Sequence, residues 1–151
     1  MLLKLRQRMA KDESGFTLVE LLVVMLILGL LAAIAIPAFF NQRDKARDAS
    51  AKEAVRTAET AMETYATDND GKYTGATAGV ATDALNKIEP TLNDVGASLT
   101  VDSATDTAYK VTVASKNTPN TFSITRAGTG VTTLTCTVAA SDGCPTGGNW
   151  G

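Results

Sequence analysis

The chain has 151 residues, room for one domain and an appendage but not for a large multidomain enzyme. Hydrophobic residues make up 44% and charged residues 20%, which excludes wholesale disorder. There is no histidine, so histidine-based triads and imidazole metal ligands are excluded, and a net charge of −2 gives no basic footprint for nucleic acid.

The distribution along the chain is lopsided. Residues 1–15 carry Lys4, Arg6, Arg8 and Lys11 against Asp12 and Glu13, a small basic leader. The run from Phe16 to Phe40 follows, 25 residues with Glu20 as its one ionisable side chain. As a helix it spans ~37 Å, enough to cross a bilayer core of about 30 Å. Basic residues ahead of an apolar run keep their side in the cytoplasm and send the remainder outward.

Three readings compete for this segment. One is a plain signal anchor. A second is a secretory signal peptide with Leu21 to Leu31 as its apolar core and Ala33-Ile34-Ala35 as its cleavage site, leaving a chain that starts at Ile36. The third starts from Gly15, set between the charged leader and Phe16, and from Glu20 four residues later. A carboxylate at the bilayer centre costs of order 2.5–3.5 kcal/mol on insertion scales, less near the end of a span. Neither of the first two readings has a use for it.

Gly15-Phe16-Thr17-Leu18-Val19-Glu20 followed by an apolar helix resembles the class III signal of type IV pilins and of the pseudopilins of type II secretion and competence systems. The resemblance covers about the first 40 residues. It implies cleavage between Gly15 and Phe16 by a prepilin peptidase, N-methylation of Phe16, and an assembly role for Glu20. The freed amine of one copy would pair with the Glu20 carboxylate of a neighbour, because an unpaired charge is costly in an apolar bundle. The resemblance also implies that Gly29 and Pro37 mark a stretch that kinks, or unwinds on assembly. Both residues are common in membrane helices, and proline bends a helix in any case. The partners implied are copies of the chain itself, the peptidase and methyltransferase, a separate assembly machine in the membrane, and membrane lipid before assembly.

Beyond Phe40 the helical pattern turns amphipathic. Ala51, Val55, Ala58, Met62 and Tyr65 fall on one stripe, while Arg47, Lys52, Glu59 and Glu63 face elsewhere. One helix from Phe16 to Thr67 would be ~75 Å long. Asp68-Asn69-Asp70-Gly71 supplies the stop. A calcium loop in that register would place its first ligand at Ala66 and its late glutamate at Thr77, so the stretch reads as a turn.

Residues 68–97 read as a connection with a short helix from Thr82 to Ile88, ending at Pro90. Four strands are predicted at Ser98–Val101, Tyr109–Ala114, Thr121–Arg126 and Val131–Val138, forming an antiparallel meander with one buried face and one threonine-rich face. Cys136 and Cys144 default to a disulfide in an exported chain, which agrees with the C-terminal disulfide loop of many pilins. The expected fold is α+β, a long N-terminal helix whose outer half packs on a small sheet. Its segments are a leader at 1–15, a membrane and assembly half at 16–40, an amphipathic half at 41–67, the connection at 68–97 and the sheet with its disulfide loop at 98–151.

Nothing in the sequence assembles a catalytic group. Ser115 and Cys144 lack a histidine partner, Asp102 and Asp106 are scattered, and no pattern calls for a cofactor or a metal. The sequence therefore points to a structural subunit of a type IV pilus or, alternatively, a pseudopilin. A tethered or secreted β-domain is the remaining reading.

Overall fold

The computed structural model describes residues 15–137 and 143–151, with the side chain of Ala97 outside the description. The basic leader residues Lys4 to Lys11 and the predicted strand end at Val138 lie outside the described residues. The chain divides into two compact units between Phe39 and Phe40.

Helix α1 runs from Leu18 to Asp68 and crosses that division. It begins two residues later than the sequence predicts, because Thr17 serves as its cap rather than its second residue. It continues through Gly29 and Pro37. In the first unit its side chains are apolar on every face apart from Glu20, and none from Leu18 to Phe39 is buried among the described residues. A helix apolar all round needs lipid or other protein as its surroundings.

In the second unit α1 has two unlike faces. Ala51, Val55, Ala58 and Met62 of the predicted stripe are buried, Tyr65 is half-buried, and Ala61 and Ala66 are buried beside them. The helix stops at Asp68-Asn69-Asp70-Gly71. Asp70 and Gly71 take φ values of 54° and 78°, left-handed geometry that glycine adopts without strain. The amide of Gly71 donates to Ala66 O at 2.8 Å and the Asn69 side chain donates to Tyr65 O at 2.7 Å, so two of the carbonyls in the last turn are satisfied.

Helix α2 covers Ala84–Ile88, shorter than the Thr82 start predicted, and two 3-10 segments at Pro90–Asp94 and Gly96–Ser98 follow where the sequence suggested loop. Strands β1 (Leu99–Ala104), β2 (Tyr109–Ala114), β3 (Thr121–Arg126) and β4 (Thr132–Thr137) form one sheet in the order β1-β2-β3-β4, every pair antiparallel. β1 runs three residues further than expected because a register shift between Val101 and Ser103 lets pairing resume beyond an irregularity. Tyr109, Val111 and Val113 on β2 and Phe122 and Ile124 on β3 face the core with Leu85, Leu92 and Leu99, against the buried stripe of α1. The opposite face carries Thr100, Thr112, Ser123 and Thr135 as one row across all four strands. Ser123 is nevertheless buried, its hydroxyl paired with that of Thr112 at 2.8 Å. This is the α+β arrangement expected.

Candidate functional site

Glu20 lies in the first turn of α1. Its backbone amide donates to Thr17 Oγ1 at 3.2 Å, while its carboxylate oxygen Oε2 accepts from the Thr17 amide and the Thr17 hydroxyl, both at 3.0 Å. This reciprocal pair is a capping box, in which two of the helix's orphan amides are satisfied by side chains. The signal was present as Thr17-x-x-Glu20, yet sequence reasoning gave Glu20 only an intermolecular partner. The carboxylate is thus held on the amide and hydroxyl of Thr17, the residue that follows Phe16.

The Gly15–Phe16 bond itself precedes the helix, and Phe16 is 82% exposed. Among the described residues, nothing beyond the adjoining chain lies within 4 Å of a side chain built at Gly15 or at Gly29. Both positions are open on the described surface. Pro37 sits inside α1, two residues before the division at Phe39.

The remaining site residues, Cys136 and Cys144, form a disulfide. It closes β4 onto the C-terminal stretch, which returns along β4 through Cys136 N to Gly148 O at 2.8 Å and a bridge between Thr135 and Asn149. Trp150 completes the return. Its indole N–H donates to Thr135 O at 2.9 Å, and its ring meets Phe122 edge-on at 5.9 Å. Lys52 and Arg56 of α1 stand over that ring at 5.7 and 5.1 Å.

Asp48 was not singled out in the sequence and is fully buried. Its carboxylate accepts from Thr118 Oγ1 at 2.8 Å, Asn120 Nδ2 at 2.6 Å and the Gly143 amide at 2.9 Å. It therefore ties α1 to the β2–β3 turn and to the disulfide loop. Burial pushes its pKa up, but the Ser115 hydroxyl and the donors from Gly143, Thr118 and Asn120 outweigh that and hold it below the ordinary aspartate value. Ser115 acts through proximity, since its hydroxyl makes no hydrogen bond of good geometry. The available signal was positional: Asp48 extends the buried stripe one turn upstream of Ala51.

Glu63 has a similar role at the other end of this helix half. It faces away from the stripe and is exposed, as expected, and from there it accepts from Tyr73 Oη at 2.8 Å and Tyr109 Oη at 3.1 Å and lies 3.7 Å from Arg126. Burial first, then the Glu63 and Glu59 carboxylates, push the Tyr109 phenol far above its ordinary value, so it stays a neutral donor. Asp102 and Asp106 also have structural partners, Thr100, Thr112 and Lys110 for the first and Thr74 and Lys72 for the second. Among the described residues, no group of three or more histidine, cysteine, aspartate or glutamate side chains could hold a metal.

The model of the prokaryotic N-terminal methylation motif matches residues 10–36. Over 59 residues the chain is 39% identical to the type II secretion system core protein G of Pseudomonas aeruginosa, covering 39% of this chain and 42% of that protein. Over 58 residues it is 39% identical to the type IV major pilin protein PilA of Myxococcus xanthus, covering 38% of this chain and 26% of PilA. The core protein G of Escherichia coli is 34% identical over 62 residues, 41% of this chain and 43% of that protein. The chain thus spans about two fifths of the length of the secretion relatives and about a quarter of the pilin. No solved structure matches it. About two fifths of the chain is homologous to type II secretion core protein G and to PilA, and it carries the methylation motif.

Proposed function

We propose that this chain is a filament-forming structural protein, a subunit of a type IV pilus. Residues 16–40 hold the precursor in the plasma membrane, a prepilin peptidase cuts between Gly15 and Phe16, and Phe16 is N-methylated. An assembly machine then moves the subunit from lipid into a helical filament exposed outside the cell. The observation that carries this reading is the methylation motif over residues 10–36, set on a helix whose apolar first half is exposed among the described residues.

Lipid and a bundle of such helices are about equally apolar, so the transfer gains little from hydrophobic burial. Packing and charge pairing have to decide it. In the bundle, the Phe16 amine of one copy meets the Glu20 carboxylate of another. Pairing relieves two charges that would each be costly alone in a low-dielectric core. Gly29 and Pro37 give the helix the freedom to bend or unwind as it packs.

The likeness to core protein G favours a second reading, a pseudopilin of a secretion system. A long surface fibre dominated by this chain supports the first reading and a short rod the second. Mass spectrometry of the mature chain tests what both share. We expect it to lack residues 1–15, to begin at Phe16, and to carry one extra methyl group there. A chain starting at Ile36 or at Met1 would contradict both.

A further inference from the structure

Residues 143–151 touch α1 at two places along one of its faces. Asp48, Lys52 and Arg56 are spaced four residues apart, so they follow one another on that face. At the near end the Gly143 amide donates to Asp48 Oδ2 at 2.9 Å. At the far end Lys52 and Arg56 stand over the Trp150 ring. The far end has anchors of its own, since Cys136 N donates to Gly148 O at 2.8 Å and Trp150 Nε1 donates to Thr135 O at 2.9 Å. The near end is tied to the sheet by the disulfide from Cys144, the residue after Gly143, to Cys136 on β4.

Asp48 gives that disulfide something to hold in place. Its buried carboxylate also accepts from Thr118 Oγ1 and Asn120 Nδ2, both on the β2–β3 turn. A buried anion is costly unless it is hydrogen-bonded, and bonds to an ionised acceptor are roughly twice as strong as neutral ones. Gly143 differs from the other two donors in its place on the chain. Its neighbour is fixed by a bond that a reductant can break, and both cysteines are buried. Opening that bond removes a constraint from Gly143 and leaves Thr118 and Asn120 where they are.

We propose that Asp48, Gly143 and the Cys136–Cys144 disulfide form a redox-operated clasp: the disulfide holds the Gly143 amide on Asp48, and Asp48 favours the disulfide over the two thiols. Reduction by a dithiol breaks the S–S bond and passes two electrons and two protons to Cys136 and Cys144. The dithiol is oxidised to its own cyclic disulfide. The Gly143 end of the stretch then leaves α1, while the Trp150 end keeps its separate anchors. Coupling of this kind is reciprocal: whatever the disulfide adds to the Asp48 contact, the contact adds to the disulfide. The inference concerns residues within the unit 40–151 and does not depend on the filament reading.

The test uses the full chain in detergent micelles, equilibrated with mixtures of reduced and oxidised dithiothreitol at pH 7. Thiols are then trapped with a maleimide and counted by mass spectrometry. Asp48→Asn keeps the shape of the side chain and removes its charge. It should be half reduced at a dithiol-to-disulfide ratio about ten-fold below that of the wild type, about 30 mV for a two-electron couple. Asp102→Asn also removes a hydrogen-bonded carboxylate, but one whose partners are Thr100, Thr112 and Lys110, and it should titrate as the wild type does. A substitution that loosens the oxidised and reduced chains alike leaves this ratio unmoved, so the readout reports coupling rather than stability. A second arm needs no variant and decides the matter if Asp48→Asn fails to fold. In the wild-type chain, the Gly143 amide should exchange with deuterium about ten-fold faster after reduction. Equal midpoints for Asp48→Asn and the wild type, or a Gly143 amide equally protected in both redox states, would overturn the proposal.

Discussion

At Asp48 one carboxylate collects donors from Thr118, Asn120 and Gly143, three residues that lie 70, 72 and 95 positions away in sequence. Asp48→Ala takes this acceptor from the buried Asn120 side chain and from the half-buried Thr118 and Gly143 donors, and a buried loss of that kind costs about 1–3 kcal/mol before relaxation. We expect the substitution to destabilise the unit of residues 40–151 by roughly 2–4 kcal/mol, read from urea unfolding followed by Trp150 fluorescence. The pH dependence has a definite sign. The folded carboxyl is held below its ordinary value, so its contribution is complete above the unfolded pKa of about 3.9 and is lost as pH falls through the folded one. Asp48→Asn should therefore be weaker than wild type at pH 7, with the difference narrowing at pH 3 and below. A difference that stays constant across that range would show that the charge is irrelevant. Gly143 is part of the same contact: a side chain built there would lie 2.6 Å from Asp48 Cβ, so the loop amide reaches the carboxylate only because that position is glycine.

Among the elements, α1 and the four strands were legible because each carries a local signal: the i, i+4, i+7 stripe at Ala51 to Met62, the stop at Asp68–Gly71, and the alternation Tyr109-x-Val111-x-Val113. The 3-10 segments after Pro90 were not, since they have no periodicity of their own and form where Leu92 packs into the core. Asp48 and Glu63 were missed for a different reason. Their partners come from the β2–β3 turn and the disulfide loop in one case and from Tyr73, Tyr109 and Arg126 in the other, so no local pattern on the helix announces them. In the candidate site, Gly15, Phe16 and Glu20 were singled out by the resemblance of that stretch to the class III signal, whereas the hydrogen bonds between Thr17 and Glu20 needed coordinates. The disulfide belongs to this scale too. Opening its nine-residue ring removes roughly 2.5 kcal/mol in the chain-entropy model. For a unit of this size, Cys136→Ser with Cys144→Ser should lower the Tm by roughly 10 °C or more, because one kcal/mol corresponds to about 4–8 °C in small domains. An unchanged Tm would mean that the backbone pairing of Cys136 with Gly148 and the Trp150 anchor hold the C-terminal stretch unaided.

For the molecule as a whole, two facts have to be reconciled. The first half of α1 is apolar on every face and exposed among the described residues, and one acid is set into its first turn. A capping box explains how a single copy tolerates that acid at a helix end. It does not require a charge, because glutamine serves the same position in such boxes. The proposed pairing with a neighbour's amine does require one. Glu20→Gln therefore separates the two roles where Glu20→Ala would remove both. The decisive measurement is the filament yield of cells expressing the Glu20→Gln chain, with membrane insertion and cleavage after Gly15 checked in the same cells. The account predicts a cleaved, membrane-held subunit that forms no filaments; filaments at the wild-type level would contradict it.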